Sequence, residues 1–187
     1  MRQVRGILFV DYVRMLKAVK SVDWTTRLHP EDIAYLSQHV DPDAWYPMAS
    51  FERMGNQILA TVAGGQLIAV HHWGRLSASV LRDAHPTLLA PDDPVESLNR
   101  FRVLRATFFD FEAIEVPMLH EGEAQLVIHY YMGMPAEEAA SVQTQGFFEG
   151  LLALAGAKDI RSSWRQKSWE GASRTLLDLR WRGPLDR

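Results

Sequence analysis

A change of hydrophobic period near residue 105 constrains this chain more than any other feature. Downstream of it, residues 106–181 read as two strands, a helix with a small-residue face, and two more strands. Thr107, Phe109, Phe111 and Ala113 alternate along the first strand, which is read as residues 105–116. Pro117 to Gly122 is read as a turn, and residues 123–133 are β-branched and aromatic enough to pair with the first strand. Pro135 is placed at the first position of a helix, with Glu137 and Glu138 at its positive end. Gly146, Phe147, Gly150 and Leu151 share one side of that helix, and Gly156 stops it. A last hairpin turns at Glu170-Gly171, and its second arm alternates Thr175, Leu177, Leu179 and Trp181 with mostly polar neighbours.

Upstream of the change, the spacing is helical. Phe9, Val13 and Leu16 share one face of a first helix. Pro30 opens a second, with Ile33, Leu36 and Val40 toward the core. A turn-rich connector, residues 41–47, carries Trp45 and Tyr46. Ser50 is the expected N-cap of a third helix that places Phe51, Met54, Ile58 and Val62 in register and ends at Gly64-Gly65. Residues 67–81 are apolar on more than one side, which predicts a largely buried helix. A proline-rich loop, residues 85–94, leads to a short helix around Val95, Leu98 and Phe101. The expected fold class is α+β: an N-terminal helical half packed on a C-terminal antiparallel sheet with strand–strand–helix–strand–strand order, one domain over residues 1–187.

This order, together with the segment His129-Tyr130-Tyr131, resembles the haem-nitric-oxide-binding superfamily. That superfamily includes 4-vinyl-reductase ligand-binding domains and TRAPP vesicle-tethering subunits. The chain also resembles a myxobacterial paralogous family of unknown function within it. Haem-binding members carry Tyr-x-Ser-x-Arg, whose polar groups hold the haem propionates. The corresponding positions here are Tyr130, Met132 and Met134. The tyrosine is kept, but thioethers stand where a hydroxyl and a guanidinium would bind an anion, and a thioether is only a weak acceptor. The resemblance places the axial histidine nearest His85, followed at once by Pro86. The cysteines of 4-vinyl-reductase domains have no counterpart, because the chain has none. No cofactor is therefore expected, and haem-based gas sensing through His85 is the weakest of three readings. The first reading is a non-catalytic sensory or regulatory domain binding a small apolar ligand or a protein partner. Its candidate ligand-pocket residues are Trp45, Tyr46, Phe109, Phe111, Tyr130, Met132 and Met134. The second is a homodimeric interaction scaffold of the tethering-subunit kind.

Other constellations are read as structural. Adjacent His71 and His72 diverge by about 100° on a helix and lack a metal-ligand spacing. Gly146 and Gly150 are read as permitting close packing of the helix on the sheet, with a dimer face as the alternative. Asp92-Asp93 and Glu121/Glu123 are read as solvated loop charges. Ser77, Ser79, Ser162 and Ser163 lack a positioned base, so no enzyme is expected. Arg161, Arg165, Lys167 and Arg174 are read as charges protecting a sheet edge. A net charge of −3 gives no global attraction for nucleic acid. The absence of cysteine excludes disulfides and thiolate chemistry and fits a reducing compartment. Asp11 and Arg14 interrupt the only N-terminal apolar run, so no signal peptide is expected, and no stretch reaches the roughly 18 apolar residues of a membrane span. A cytoplasmic protein is the expectation.

Overall fold

The computed structural model describes residues 1–184. A short strand β1 (Gln3–Arg5) runs straight into helix α1 (Gly6–Ala18), followed by α2 (Pro30–Ser37). The chain then returns as β2 (Trp45–Pro47) before α3 (Met48–Gln57), a π-helical turn (Ile58–Val62), α4 (Leu67–Ala84) and α5 (Pro94–Leu104). The second half is β3 (Ile114–His120), β4 (Glu123–Ile128), α6 (Ala136–Leu154), β5 (Lys158–Gln166) and β6 (Thr175–Arg182). The four long strands form one antiparallel sheet in the order β3-β4-β6-β5, while β1 and β2 make a separate two-stranded ribbon. The α+β class and the strand–strand–helix–strand–strand order are as the hydrophobic pattern predicts.

The inward faces follow from simple alternation. Leu126 and Ile128 on β4 and Leu177, Leu179 and Trp181 on β6 are buried against Phe148, Leu151 and Leu152 of α6. Phe9, Val13 and Leu16 of α1 are buried as their spacing predicts, and Asp32 of α2 is taken wholly inside. That carboxylate is tolerable because Arg53 grips it bidentately at 2.6 and 2.8 Å.

Several local expectations are corrected. Residues 41–47 are not only a turn: Trp45–Pro47 pairs with Gln3–Arg5. That pairing holds the backbone extended through Pro47, so α3 starts at Met48, whose N–H donates to the Arg2 carbonyl at 3.0 Å. Ser50 therefore does not cap α3; it is buried inside it and accepts a bond from Arg53 at 3.2 Å. The first long strand begins later than its alternation suggests, because residues 105–107 form a 3₁₀ turn. It then runs on through Pro117, which is tolerated because β3 lies at the sheet edge and bulges between Glu115 and Met118. β4 ends at Ile128, so His129 to Met134 lie in a loop. Pro135 caps α6 and the helix proper begins at Ala136.

Helix α4 is also less buried than its composition predicts. Ile68, Leu76 and Val80 are exposed at 61%, 66% and 52%. The reason is that α6 covers only one side of it, and does so at backbone distance. A Cβ on Gly74 would lie 2.0 Å from the Gln143 carbonyl oxygen, and one on Gly146 would lie 2.1 Å from that of His71. Gly146 and Gly150 thus serve close packing within the subunit, but of helix on helix rather than helix on sheet.

Candidate ligand cavity

The side of α4 that α6 leaves uncovered borders a cavity of about 330 Å³. Its walls are a second stripe on each helix, offset from the core stripe. On α1 this stripe is Leu8, Tyr12 and Met15, one position before Phe9, Val13 and Leu16. On α4 it is Trp73, Ser77, Val80 and Leu81, with Leu76 beside them. Ala140, Gln143, Thr144 and Phe147 of α6 close the back, and Phe51 and Phe101 close two further sides. Phe108, Phe109, Ile114 and Tyr130 make the floor. The floor is pinned by the N-terminus: Arg5 N–H donates to the Phe108 carbonyl at 2.8 Å, and Gln3 N–H donates to Asp110 Oδ1 at 2.6 Å. At the mouth, exposed Leu76 and Val80 face Asp11 and Arg14, which pair with each other at 3.2 Å.

The polar atoms inside are few and mostly satisfied. Thr144 Oγ1 donates to the Ala140 carbonyl at 2.9 Å, so the 2.5 Å contact with Tyr130 is a bond that Tyr130 donates. Ser77 Oγ donates to the Gly74 carbonyl at 2.7 Å. Tyr12 Oη donates to Gln143 Oε1 at 2.8 Å, with its ring stacked on Phe51 at 4.1 Å. Burial raises both phenols: for Tyr12 the nearby Tyr130 adds to the rise, and for Tyr130 the bond to Thr144 only partly opposes it. Both stay protonated at neutral pH. A much smaller void of about 20 Å³ lies beyond Tyr12 and Gln143, with Met132 on its wall; it has room for about one water.

Of the residues proposed from sequence to line a pocket, Phe109 and Tyr130 do line the cavity. The others lie elsewhere. Tyr46 stacks on Phe9 at 4.5 Å in the core, and Trp45 lies under the Arg5 guanidinium at 5.0 Å. Phe111 packs edge-on to Phe109 from outside the floor, under Arg2. Met132 faces the small void, and Met134 is 56% exposed. The residues that sequence reasoning missed are the α1 and α6 stripes, above all Tyr12 and Gln143. The signal was present as Leu8, Tyr12 and Met15 at i, i+4, i+7, but it runs beside a stronger apolar stripe.

The loop of residues 129–134 is held from three sides. Arg2 donates to the Tyr130 and Tyr131 carbonyls at 2.6 and 3.0 Å. The Met132 amide donates to Glu137 Oε2, and the Gly133 amide to Glu52 Oε1, both at 2.8 Å. Burial raises the Glu137 pKa, against the opposing effect of the Met132 amide. His129 Nε2 lies 3.0 Å from Glu115. His85 ends α4; its N–H donates to the Leu81 carbonyl at 2.8 Å and its ring meets the edge of Phe108 at 5.3 Å, behind the cavity floor. His71 contacts Glu149 at 3.1 Å while His72 points to solvent, with ring centroids 6.1 Å apart. Among the described residues no three histidine or acidic side chains converge to hold a metal ion, and no helix is long and apolar enough to cross a membrane.

No known family's sequence pattern matches the chain, and no characterised protein matches it in sequence. Its fold does have solved counterparts. A mutant H-NOX protein from K. algicida, solved in its Fe(II) unliganded form, superposes with a TM-score of 0.65 at 12% identity, covering 97% of this chain and 98% of that one. A mutant H-NOX from T. Tengcongensis gives 0.61 at 12% identity, covering 97% and 99%. A Cs H-NOX mutant carrying 4-cyano-L-phenylalanine gives 0.57 at 12%, covering 98% and 99%. The chain therefore has an H-NOX-like fold along nearly its whole length.

The residues present do not fit the haem that this fold family implies. Among the described residues no histidine lines the cavity, and His85 is separated from it by Phe108. The two phenols on its wall are already engaged, Tyr12 with Gln143 and Tyr130 with Thr144. The loop that would meet the propionates has its Met132 and Gly133 amides already occupied by the carboxylates of Glu137 and Glu52. Two more anions beside those carboxylates would be repelled.

Proposed function

We propose that this chain is a non-catalytic sensory or regulatory domain that takes a small apolar organic ligand between α1, α4 and α6. The observation that supports this reading is the cavity itself. At about 330 Å³ it falls in the size range of small-molecule sites, and its wall is aromatic and aliphatic with few polar atoms. The cavity opens to solvent beside Leu76 and Val80, so an apolar ligand entering it would displace water from an apolar wall. The H-NOX-like fold supports a sensory role by analogy of architecture, and the donor set argues for an organic ligand in place of haem. Occupancy would bias how α1 sits against α4, and a contact that depends on that packing would read the shift.

The test is solvent extraction and mass spectrometry of purified protein, followed by thermal unfolding with a panel of uncharged apolar compounds. The expected outcome is a co-purified or added compound that raises the unfolding midpoint in the wild type but not in Ala140→Phe, which fills the cavity. An unfolding midpoint that no apolar compound moves would sink the reading. So would a Soret band that disappears in His85→Ala, which would restore the haem interpretation.

A further inference from the structure

We infer that the cavity selects an uncharged ligand of about two fused rings carrying one hydroxyl or carbonyl, and that the Tyr12–Gln143 pair recognises that single polar group. This rests on the ligand-cavity reading and goes on to name the ligand's chemistry.

Size comes first. An engineered apolar cavity of ~150 Å³ holds benzene, so about 330 Å³ gives room for a two-ring body. Wall chemistry comes second. The rings of Phe51, Trp73, Phe101, Phe109 and Phe147 suit a flat apolar body through offset and edge contacts.

Charge is the third constraint. Asp11 and Arg14 at the mouth pair with each other, so neither sign is left in excess there. Deeper in, among the described residues, the wall carries hydroxyls and one amide but no ionised group. An ionic head would lose its hydration without a partner.

Hydrogen-bond valence is the last constraint. Tyr130, Thr144 and Ser77 have spent their protons on protein acceptors. Tyr12 has spent its proton on Gln143 Oε1. The Gln143 amide nitrogen has no partner among the described residues, so its N–H groups are available beside the Tyr12 oxygen. In the opposite amide orientation Gln143 would donate to Tyr12 and present its carbonyl oxygen to the cavity instead. In both orientations one polar atom of the amide is left without a protein partner among the described residues, on a residue that lines both the cavity and the small void. Tyr12 shares that wall between the cavity and the small void.

The experiment compares three probes of one shape by fluorescence titration of the wild-type protein: naphthalene, 2-naphthol and 2-naphthoate. Naphthalene binding reports the cavity; the ratio between probes reports its chemistry. 2-Naphthol should bind about threefold to tenfold tighter than naphthalene, the range of one net hydrogen bond, and 2-naphthoate weaker than both. In Gln143→Leu, and more fully in Tyr12→Phe/Gln143→Leu, the naphthol advantage should vanish while naphthalene affinity is kept. Equal affinity for naphthalene and naphthol would overturn the inference and leave the cavity reading standing. Naphthoate binding tightest, with strong salt dependence, would overturn it in favour of Arg14. A naphthol advantage that survives both variants would remove Tyr12 and Gln143 from the role. Failure of all three probes would overturn the cavity reading as well.

Discussion

Helix α4 has two sides that solve packing in opposite ways. Toward α6 it meets glycine with glycine, leaving no room for a single added carbon at Gly74 or Gly146. Toward α1 it meets large side chains that stop short of one another and leave an open cavity between them. One helix therefore borders both a backbone-close contact and a cavity. The difference suggests a division of labour. The α4–α6 unit, docked on the sheet through Phe148, Leu151 and Leu152, is a fixed frame, and α1 is the wall that a ligand can shift.

The sharpest way to break that comparison uses two adjacent phenylalanines of α6. Phe148 is fully buried against the sheet core, while Phe147 is 9% exposed and lines the cavity. Both touch Phe101, at 4.8 and 5.6 Å between centroids. Phe148→Ala should cost about 3–5 kcal/mol, because it opens a void in close packing. Phe147→Ala should cost about 1–2 kcal/mol, because the side chain already lacks partner atoms on its cavity side. Urea unfolding measures both. Equal costs would mean that the cavity side is as tightly packed as the frame.

Glycines give a smaller effect in the same direction. Gly146→Ala places a methyl against the His71 carbonyl of an opposing helix, which cannot yield without separating α4 from α6. The expected loss is about 1–3 kcal/mol. Gly55 of α3, on the wall of the small void, is the control: a Cβ there would meet only the Tyr12 side chain, at 3.2 Å. A ring beside open space can give by a few tenths of an ångström, and alanine gains roughly 0.5–1 kcal/mol of helix propensity. Gly55→Ala should therefore be neutral to within about 0.5 kcal/mol, by the balance of those two effects. If it cost as much as Gly146→Ala, the α1 wall would be as unyielding as the frame.

The frame was far more legible in the sequence than the cavity. The stripes Phe9/Val13/Leu16 and Leu177/Leu179/Trp181 are strong, uniform periodicities, and they mark buried faces correctly. Gly146 and Gly150 announced a close approach, although the partner, Gly74, lies 72 positions away and no local pattern joins them. The cavity stripe Leu8/Tyr12/Met15 mixes polarity and sits at intermediate burial, so it does not stand out from the surface of an ordinary helix. Only Phe109 and Tyr130 of the expected pocket residues reach the cavity, because a void is defined by what several distant elements fail to fill. Met132 and Met134 were expected on the pocket wall, but Met132 borders the small void and Met134 is exposed. That Glu52 and Glu137 take over the loop amides was not legible, since Glu52 reaches Gly133 across 81 positions.

The two halves of α6 also carry carboxylates with opposite shifts, which gives the subtlest test of the comparison. Glu149 belongs to the frame. Burial alone would raise its pKa, but the bond from Ser162, the contact with His71 and the charge of Arg75 outweigh that and hold it below its ordinary value of 4.5. Glu137, at the loop end of the helix, is raised by burial despite the Met132 amide. By linkage, the stabilisation from Glu149 is fully present above pH 4.5 and is lost as pH falls through its lower folded value. For Glu137 the sign reverses: ionising it costs stability as pH rises from 4.5 through its higher folded value, and the cost disappears below 4.5. Glu149→Gln should therefore be destabilising at pH 7 and converge with the wild type below pH 4.5. Glu137→Gln should match the wild type near pH 4 and gain on it as pH rises. Unfolding free energies of the three proteins from pH 3.5 to 7.5 give the slopes directly. Parallel curves would mean that the carboxylate at the loop end is held as firmly as the one in the frame, and that α6 does not change character along its length.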